Sequence, residues 1–196
     1  MEKSPRPKRE LSKEEIQDAQ IGLLEWELEE REKRYGIEPL TGLKRREVLE
    51  RELKQLLKTG ERRKTGTSLI FVDLDNFKKV NDEMGHQKGD EVLKRIANLL
   101  NGPTRSTDML ARYGGDEFIV LLPNTSEADA FTVAEKLRIA LDADKELQKL
   151  DVTASLGVCS SEVSKATDVA TFIHHADIAV YDAKHGGKNR VAAYKG

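Results

Sequence analysis

Two short stretches of this chain carry residue types from which a metal and phosphate site can be built. Asp73 and Asp75 close an apolar run, and Asp116 and Glu117 follow Gly114 and Gly115 in RYGGDEF, residues 112–118. Carboxylates that converge at strand ends and tips repel one another unless a cation separates them, and hard oxygen ligands select Mg²⁺ or Mn²⁺. Such an ion completes its shell with phosphate oxygens. Glycine at 114 and 115 would let a nucleotide approach the backbone and would tolerate positive φ in a turn. Lys78 and Lys184 offer cations for phosphate. Either acidic motif alone reads as a polar turn cap; together with the lysines they favour a catalytic metal–nucleotide site.

The elements that must position these residues follow from periodicity. Ser68–Asp73 is β-branched and aromatic and reads as a buried strand. A helical turn, FKKVNDEM, comes next, then a loop over 85–89 and a helix from Asp90 to Leu100. Met109–Tyr113 and Phe118–Leu122 read as strands flanking the glycine turn. Ser126 caps a helix to Leu141, Val152–Cys159 is a strand, and a helix from Asp168 to Lys184 precedes a last strand, Arg190–Tyr194. Interleaved in this way, the elements give an α+β fold, a mixed central β-sheet flanked by helices. Upstream, an amphipathic helix with Val48, Leu49, Leu53, Leu56 and Leu57 ends at Gly60. Residues 1–37 read as a disordered basic tail followed by a helix that opens on the capping box Ser12 and Glu15. Its apolar stripe of Ile16, Ala19, Leu23 and Trp26 suits a helix docked on its own domain as well as a dimerising stalk.

Composition limits the remaining choices. At 196 residues, 38% hydrophobic and 35% charged, the chain suits one domain, 38–196, plus the appendage 1–37. A net charge of −2 marks no general polyanion surface, so no nucleic-acid partner is expected and any phosphate site is local. Cys159 is the single cysteine, which fits a reducing, cytosolic setting, and no apolar run reaches signal-peptide or membrane-span length. His174 and His175 lack acidic partners at metal spacing, and His86 reads as a residue that orients its loop. Trp26 reads as an anchor for the first helix, and Arg62-Arg63-Lys64 as a solvated loop.

The run from Asp73 to Asp90, DLDNFKKVNDEMGHQKGD, followed by Arg112–Phe118, resembles the GGDEF domain of diguanylate cyclases. The resemblance begins at Leu40-Thr-Gly-Leu43 and continues through Ser155-Leu-Gly157, Ala176-Asp177, Tyr181 and Ala183-Lys184, over roughly the last four fifths of the chain. It implies a fold related to nucleotide cyclases and the polymerase palm, and condensation of two GTP into cyclic di-GMP with release of two pyrophosphates. By the same resemblance Asp73, Asp116 and the backbone carbonyl of Leu74 would hold Mg²⁺ or Mn²⁺. Asp116 would also take the 3′-hydroxyl proton beside Glu117, and Lys78 would meet phosphate charge. Asn81 and Asp90 occupy the guanine-reading positions, although Asp90 after Gly89 also suits a helix N-cap. Lys184 and Lys188 match the pair on the distal phosphates, and Arg105 and Asp108 match the family's inhibitory product site, for which a surface ion pair is the plain alternative.

Three positions depart from the family pattern. Lys188 stands where arginine is usual, which keeps the charge and loses the bidentate fork. Glu38 stands where aspartate usually precedes Leu-Thr-Gly, and its extra methylene puts that contact in doubt. Lys44-Arg45-Arg46 replaces the usual Pro/Tyr-Asn-Arg. One guanine pocket per chain and a two-fold product imply a homodimer for catalysis. Two other classes remain: a silent cyclic di-GMP receptor working through Arg105 and Asp108, and a different nucleotide cyclase, which Asn81 and Asp90 disfavour.

Overall fold

Thr67–Asp75 (β2) forms the centre of a six-stranded sheet because its side chains are apolar on both faces. In the computed structural model, which describes residues 17–24, 26, 36–63 and 66–196, the strand order is β1-β3-β4-β2-β5-β6. β3 (Met109–Arg112) and β4 (Glu117–Pro123) form the expected hairpin, and β4 lies antiparallel to β2 with Asp73 opposite Glu117. β5 (Thr153–Ser160) flanks β2 on its other side, also antiparallel. The edges are short and parallel to their neighbours: β1 (Lys44–Arg45) beside β3 and β6 (Val191–Ala193) beside β5. The sheet is therefore mixed, as expected.

Helices cover both faces. α1 (Arg46–Arg63) and α7 (Val169–His185) bury Leu49, Leu53, Phe172, Ala176 and Val180 against Leu69 and Phe71. On the opposite face α2 (Phe77–Met84), α3 (His86–Asn101) and α4 (Glu127–Asp142) pack Val80, Ile96, Leu137 and Leu141 on Ile70, Val72 and Leu74. Ser126 caps α4 by accepting from the Asp129 amide, as predicted, and Asp168, read only as the start of its helix, caps α7 by accepting from the Thr171 amide. α7 lies close on β5 because Gly157 carries no side chain: a Cβ there would overlap the Ala176 carbonyl oxygen and stand 2.5 Å from the Val180 nitrogen. That approach fixes the last turn of α7, which carries Lys184.

Several boundaries differ from expectation for local reasons. α1 runs through Gly60 to Arg63, since one helical glycine costs only about 1 kcal/mol against alanine. The expected loop over 85–89 is mostly helix: only Gly85, with φ of 83°, breaks the chain, and α3 starts at His86. Two further helices, α5 (Lys145–Lys149) and α6 (Ser161–Ser164), are too short for a periodic pattern to reveal. Contacts divide the chain into residues 1–36 and 37–196. Residues 17–24 and 26 are helical, with Ala19, Leu23 and Trp26 exposed. The predicted tail, Ser12, Glu15 and Ile16 lie outside the described residues. No helix among the described residues is long and apolar enough to cross a membrane.

Candidate active site

The hairpin returns its tip to the end of β2: the Leu74 amide donates to the Asp116 carbonyl at 3.2 Å, one residue beyond the Asp73–Glu117 pairing. Three acidic side chains thus meet at one place. Burial pushes the Glu117 carboxyl up, and the charges of Asp73, Asp116 and Asp177 push it further. Burial also raises Asp73, where Lys184 counters the repulsion from Asp116 and Asp75. The Lys184 ammonium lies 2.6 Å from Asp73 Oδ1. The mutual repulsion that raises Asp73 and Glu117 would be relieved by an added cation.

The donor set fits a hard divalent ion. In an antiparallel strand the N–H and C=O of one residue face the same neighbour, so the Leu74 carbonyl is directed to the Asp116 side along with its amide. Two carboxylates and one carbonyl leave positions for water and phosphate, which suits magnesium. Among the described residues no group of three or more His, Cys, Asp or Glu side chains forms a closed cage.

Asp75 overturns the expectation that both carboxylates of the D-x-D motif join this cluster. It is 2% exposed and turned into the protein. Thr153 Oγ1 donates to its Oδ2 and Ser155 Oγ to its Oδ1, each at 2.8 Å, and the Asn189 amide donates to Oδ2 at 3.1 Å. Three donors from β5 and the loop after α7 satisfy it without a metal.

Beside the cluster opens a cleft of about 400 Å³ between α2, α3 and the hairpin. It brings together five expected residues, Lys78, Asn81, Asp90, Gly115 and Asp116, with Phe77, His86, Leu93 and Arg112. Asp90 lies within α3, after its first turn, so the N-cap alternative is excluded. Its carboxylate is exposed at the cleft. Asn81 reaches the cleft through a gap in α3: a Cβ on Gly89 would overlap Asn81 Oδ1 and stand 3.3 Å from Phe77 Cζ. Gly114 and Gly115 do not use positive φ, contrary to expectation. Gly114 makes room for the Glu117 carboxylate, which a Cβ would overlap, whereas a Cβ on Gly115 would meet nothing within 4 Å and would enter the open cleft.

Lys184 and Lys188 are not among the residues lining the cleft. Lys184 holds Asp73, and Lys188 Nζ donates to Asn76 Oδ1 at 2.9 Å. Asp116 thus lines the cleft, and Asp73 beside it is held by the Lys184 ammonium.

Two contacts were missed from sequence. Arg112 Nη2 donates to the Gly115 carbonyl at 2.8 Å while Nη1 lies 3.3 Å from Glu38 Oε1. Glu38 in turn accepts from the amides of Leu40 and Thr41 and from Thr41 Oγ1 at 2.6 Å. Burial alone would raise the Glu38 carboxyl, but these hydrogen bonds and Arg112 hold it below the usual value. Its longer side chain therefore keeps a full set of contacts. The second missed residue, His86, stands at the start of α3 as part of the cleft wall. His175 stacks on Tyr194 at 4.1 Å and pairs with Ser164, a packing role.

Arg105 and Asp108 form a tight turn before β3. The Arg105 amide donates to Asp108 Oδ2 at 2.7 Å, and the Asp108 amide to the Arg105 carbonyl at 3.0 Å. Arg105 is exposed and makes no ion pair among the described residues, so the expected alternative of a surface pair between them is absent. β3 separates this turn from the glycine tip by on the order of 13 Å.

Comparison with known proteins agrees with this geometry. The family model described as diguanylate cyclase, GGDEF domain, matches residues 36–190. Diguanylate cyclase A of Treponema denticola is 39% identical over 140 residues, 70% of this chain and 37% of that protein. The response regulator PleD of Caulobacter vibrioides is 37% identical over 157 residues, 78% of this chain and 34% of its own length. The chain thus spans about a third of these curated relatives. The crystal structure of the coiled coil and GGDEF domain of DgcB from Caulobacter crescentus, in complex with c-di-GMP, superposes with a TM-score of 0.75 at 28% identity. It covers 91% of this chain and 95% of that one.

Proposed function

Because the chain belongs to the GGDEF domain family, we propose that it is a diguanylate cyclase, condensing two GTP into cyclic di-GMP and two pyrophosphates. The observation that carries this reading is the single cleft in which Lys78, Asn81, Asp90, Gly115 and Asp116 meet beside the Asp73 carboxylate.

Asn81 and Asp90 read the base: guanine offers an O6 acceptor with N1–H and N2–H donors, which an amide and a carboxylate satisfy together. Adenine presents the opposite pattern at that edge. Gly115 lets the sugar lie against the backbone where a side chain would stand. Asp73, Asp116 and the Leu74 carbonyl would hold magnesium or manganese, which would supply Lewis-acid activation of the 3′-hydroxyl and offset phosphate charge. Asp116 accepts the 3′-hydroxyl proton as the 3′-oxygen bonds to the α-phosphorus of the facing GTP, and the bond to the β-phosphate oxygen breaks. Glu117, opposite Asp73 on β4, keeps the field at this point negative for the cation. Lys78, Lys184 and Lys188 bind the triphosphate and the departing pyrophosphate.

Each chain offers one such pocket, so two chains related by a two-fold axis must face each other to close the ring. Arg105 and Asp108 bind the product's guanine and phosphates in this reading, which limits output. Incubation with GTP and Mg²⁺ followed by chromatography tests the reading, with Asp116→Ala as control. Cyclic di-GMP formed by the wild type and absent from the variant is expected. No product, with tight retention of added cyclic di-GMP, would leave a silent receptor.

A further inference from the structure

Asp75 is a buried carboxylate with no cation beside it among the described residues, yet it ends the central strand two residues from Asp73. A buried charge of this kind is kept only where its hydrogen bonds do something an apolar residue would not. Two of its donors, Thr153 and Ser155, come from the neighbouring strand and hold the carboxylate in place. The third is different in kind. It is the backbone amide of Asn189, in the loop that follows α7.

That loop has an uncommon shape. Lys188 and Asn189 are consecutive non-glycine residues with φ of 61° and 45°, a left-handed pair that L side chains adopt only when their surroundings impose it. The imposing contacts are identifiable. The Lys188 amide donates to the Ala183 carbonyl at 3.1 Å, and the Asn189 side chain donates to Asp142 Oδ1 at 2.8 Å and accepts from Arg138 at 3.3 Å. Among the described residues, the hydrogen bond that joins the loop backbone to the strand carrying the acidic cluster is that of the Asn189 amide to Asp75. With the bond from Lys188 Nζ to Asn76 Oδ1, it ties the Lys188–Asn189 turn, which follows the helix end bearing Lys184, to the end of the strand that carries Asp73 two residues earlier.

We infer that Asp75 is a positioning residue for the phosphate-binding lysines: it fastens the left-handed turn at Lys188–Asn189 to β2, so that one strand holds both the catalytic carboxylate and the cations that must face it. The inference rests on the proposed role of Lys184 and Lys188 toward the triphosphate. Asp75→Asn keeps shape and volume but turns an N–H₂ or a weaker oxygen toward the Asn189 amide, so the turn loses its anchor.

The test separates phosphate binding from everything else. Equilibrium binding of 3′-deoxy-GTP, which lacks the attacking hydroxyl, is compared with binding of GMP, which lacks the distal phosphates, for wild type and Asp75→Asn. The variant is expected to bind GMP as the wild type does and 3′-deoxy-GTP about tenfold more weakly, the loss of roughly one charged contact. A variant that melts earlier yet keeps the wild-type ratio of the two affinities would show a merely structural role and overturn the inference. A wild type that does not prefer the triphosphate would overturn the reading of the lysines on which it rests. Should the variant fail to fold, hydrogen exchange on the wild type decides: a protected Asn189 amide is expected, and exchange at the rate of an unstructured chain would overturn the proposal.

Discussion

Replacing Gly89 with alanine separates recognition of the base from stability, two properties that usually fall together. Gly89 lies in α3 with ordinary helical geometry, where Gly→Ala favours the helix by about 0.5–1 kcal/mol. The added Cβ overlaps Asn81 Oδ1, the far end of a side chain that can rotate, at a cost of about 0.5–1.5 kcal/mol for the displaced rotamer. These terms nearly cancel, so the midpoint of thermal unfolding moves by only about 2–4 °C in either direction. Asn81, however, leaves its place at the cleft, and losing the proposed hydrogen bonds to the base costs about 1–3 kcal/mol, a roughly five- to 150-fold drop in affinity. The assay is equilibrium binding of 3′-deoxy-GTP and of its adenine counterpart, with a melting curve on the same samples. Weak guanine binding, little preference over adenine and a normal melt are expected. Unchanged guanine affinity would remove Asn81 from recognition, and a melting loss beyond about 10 °C would show that Asn81 and Phe77 cannot yield.

Further predictions follow from the contacts around the hairpin. Arg112→Ala frees the Gly115 carbonyl and Glu38 together, and steady-state rates should fall about tenfold or more with a small change in melting, while Arg112→Lys retains charge without the fork and falls between. Glu38 has a folded-state pKa below its unfolded value near 4.5, so its contribution is present above about pH 4.5 and is lost as pH falls through the folded value. Acid unfolding curves of Glu38→Gln should lack this part, on the order of 1 kcal/mol. Lys184→Ala removes a cation held 2.6 Å from Asp73, and KM for GTP should rise about tenfold in initial-rate assays. Arg105→Ala should raise the concentration of added cyclic di-GMP needed to halve the rate.

Much of this architecture is legible in the residues because the strong signals are local. β2, the hairpin and the capped helices α4 and α7 each combine an apolar pattern with a stop or start residue beside it. Asn81 and Asp90 enter only through the family resemblance, and the cleft gathers them with Lys78 because the three lie on two consecutive helices. What escapes are properties set by distant partners. Alternation places Asp73 and Asp75 on one face, but only the arrival of Thr153, Ser155 and Asn189, 78, 80 and 114 positions later, divides them between site and support. Glu38 looked misplaced by a methylene until Arg112 and Thr41 were found to meet it. Gly89 and Gly114 read as turn residues, whereas their value here is the space they leave for Asn81 and Glu117.

The account turns on one nucleotide pocket per chain, with chemistry only where two chains meet. The most direct measurement is the initial rate of cyclic di-GMP formation across a dilution series of the protein at saturating GTP and Mg²⁺. A rate that rises as the second power of protein concentration when dilute, and becomes linear once chains are paired, is predicted. Product formed in strict proportion to protein down to the lowest dilution, from a species that sediments as a monomer, would contradict it.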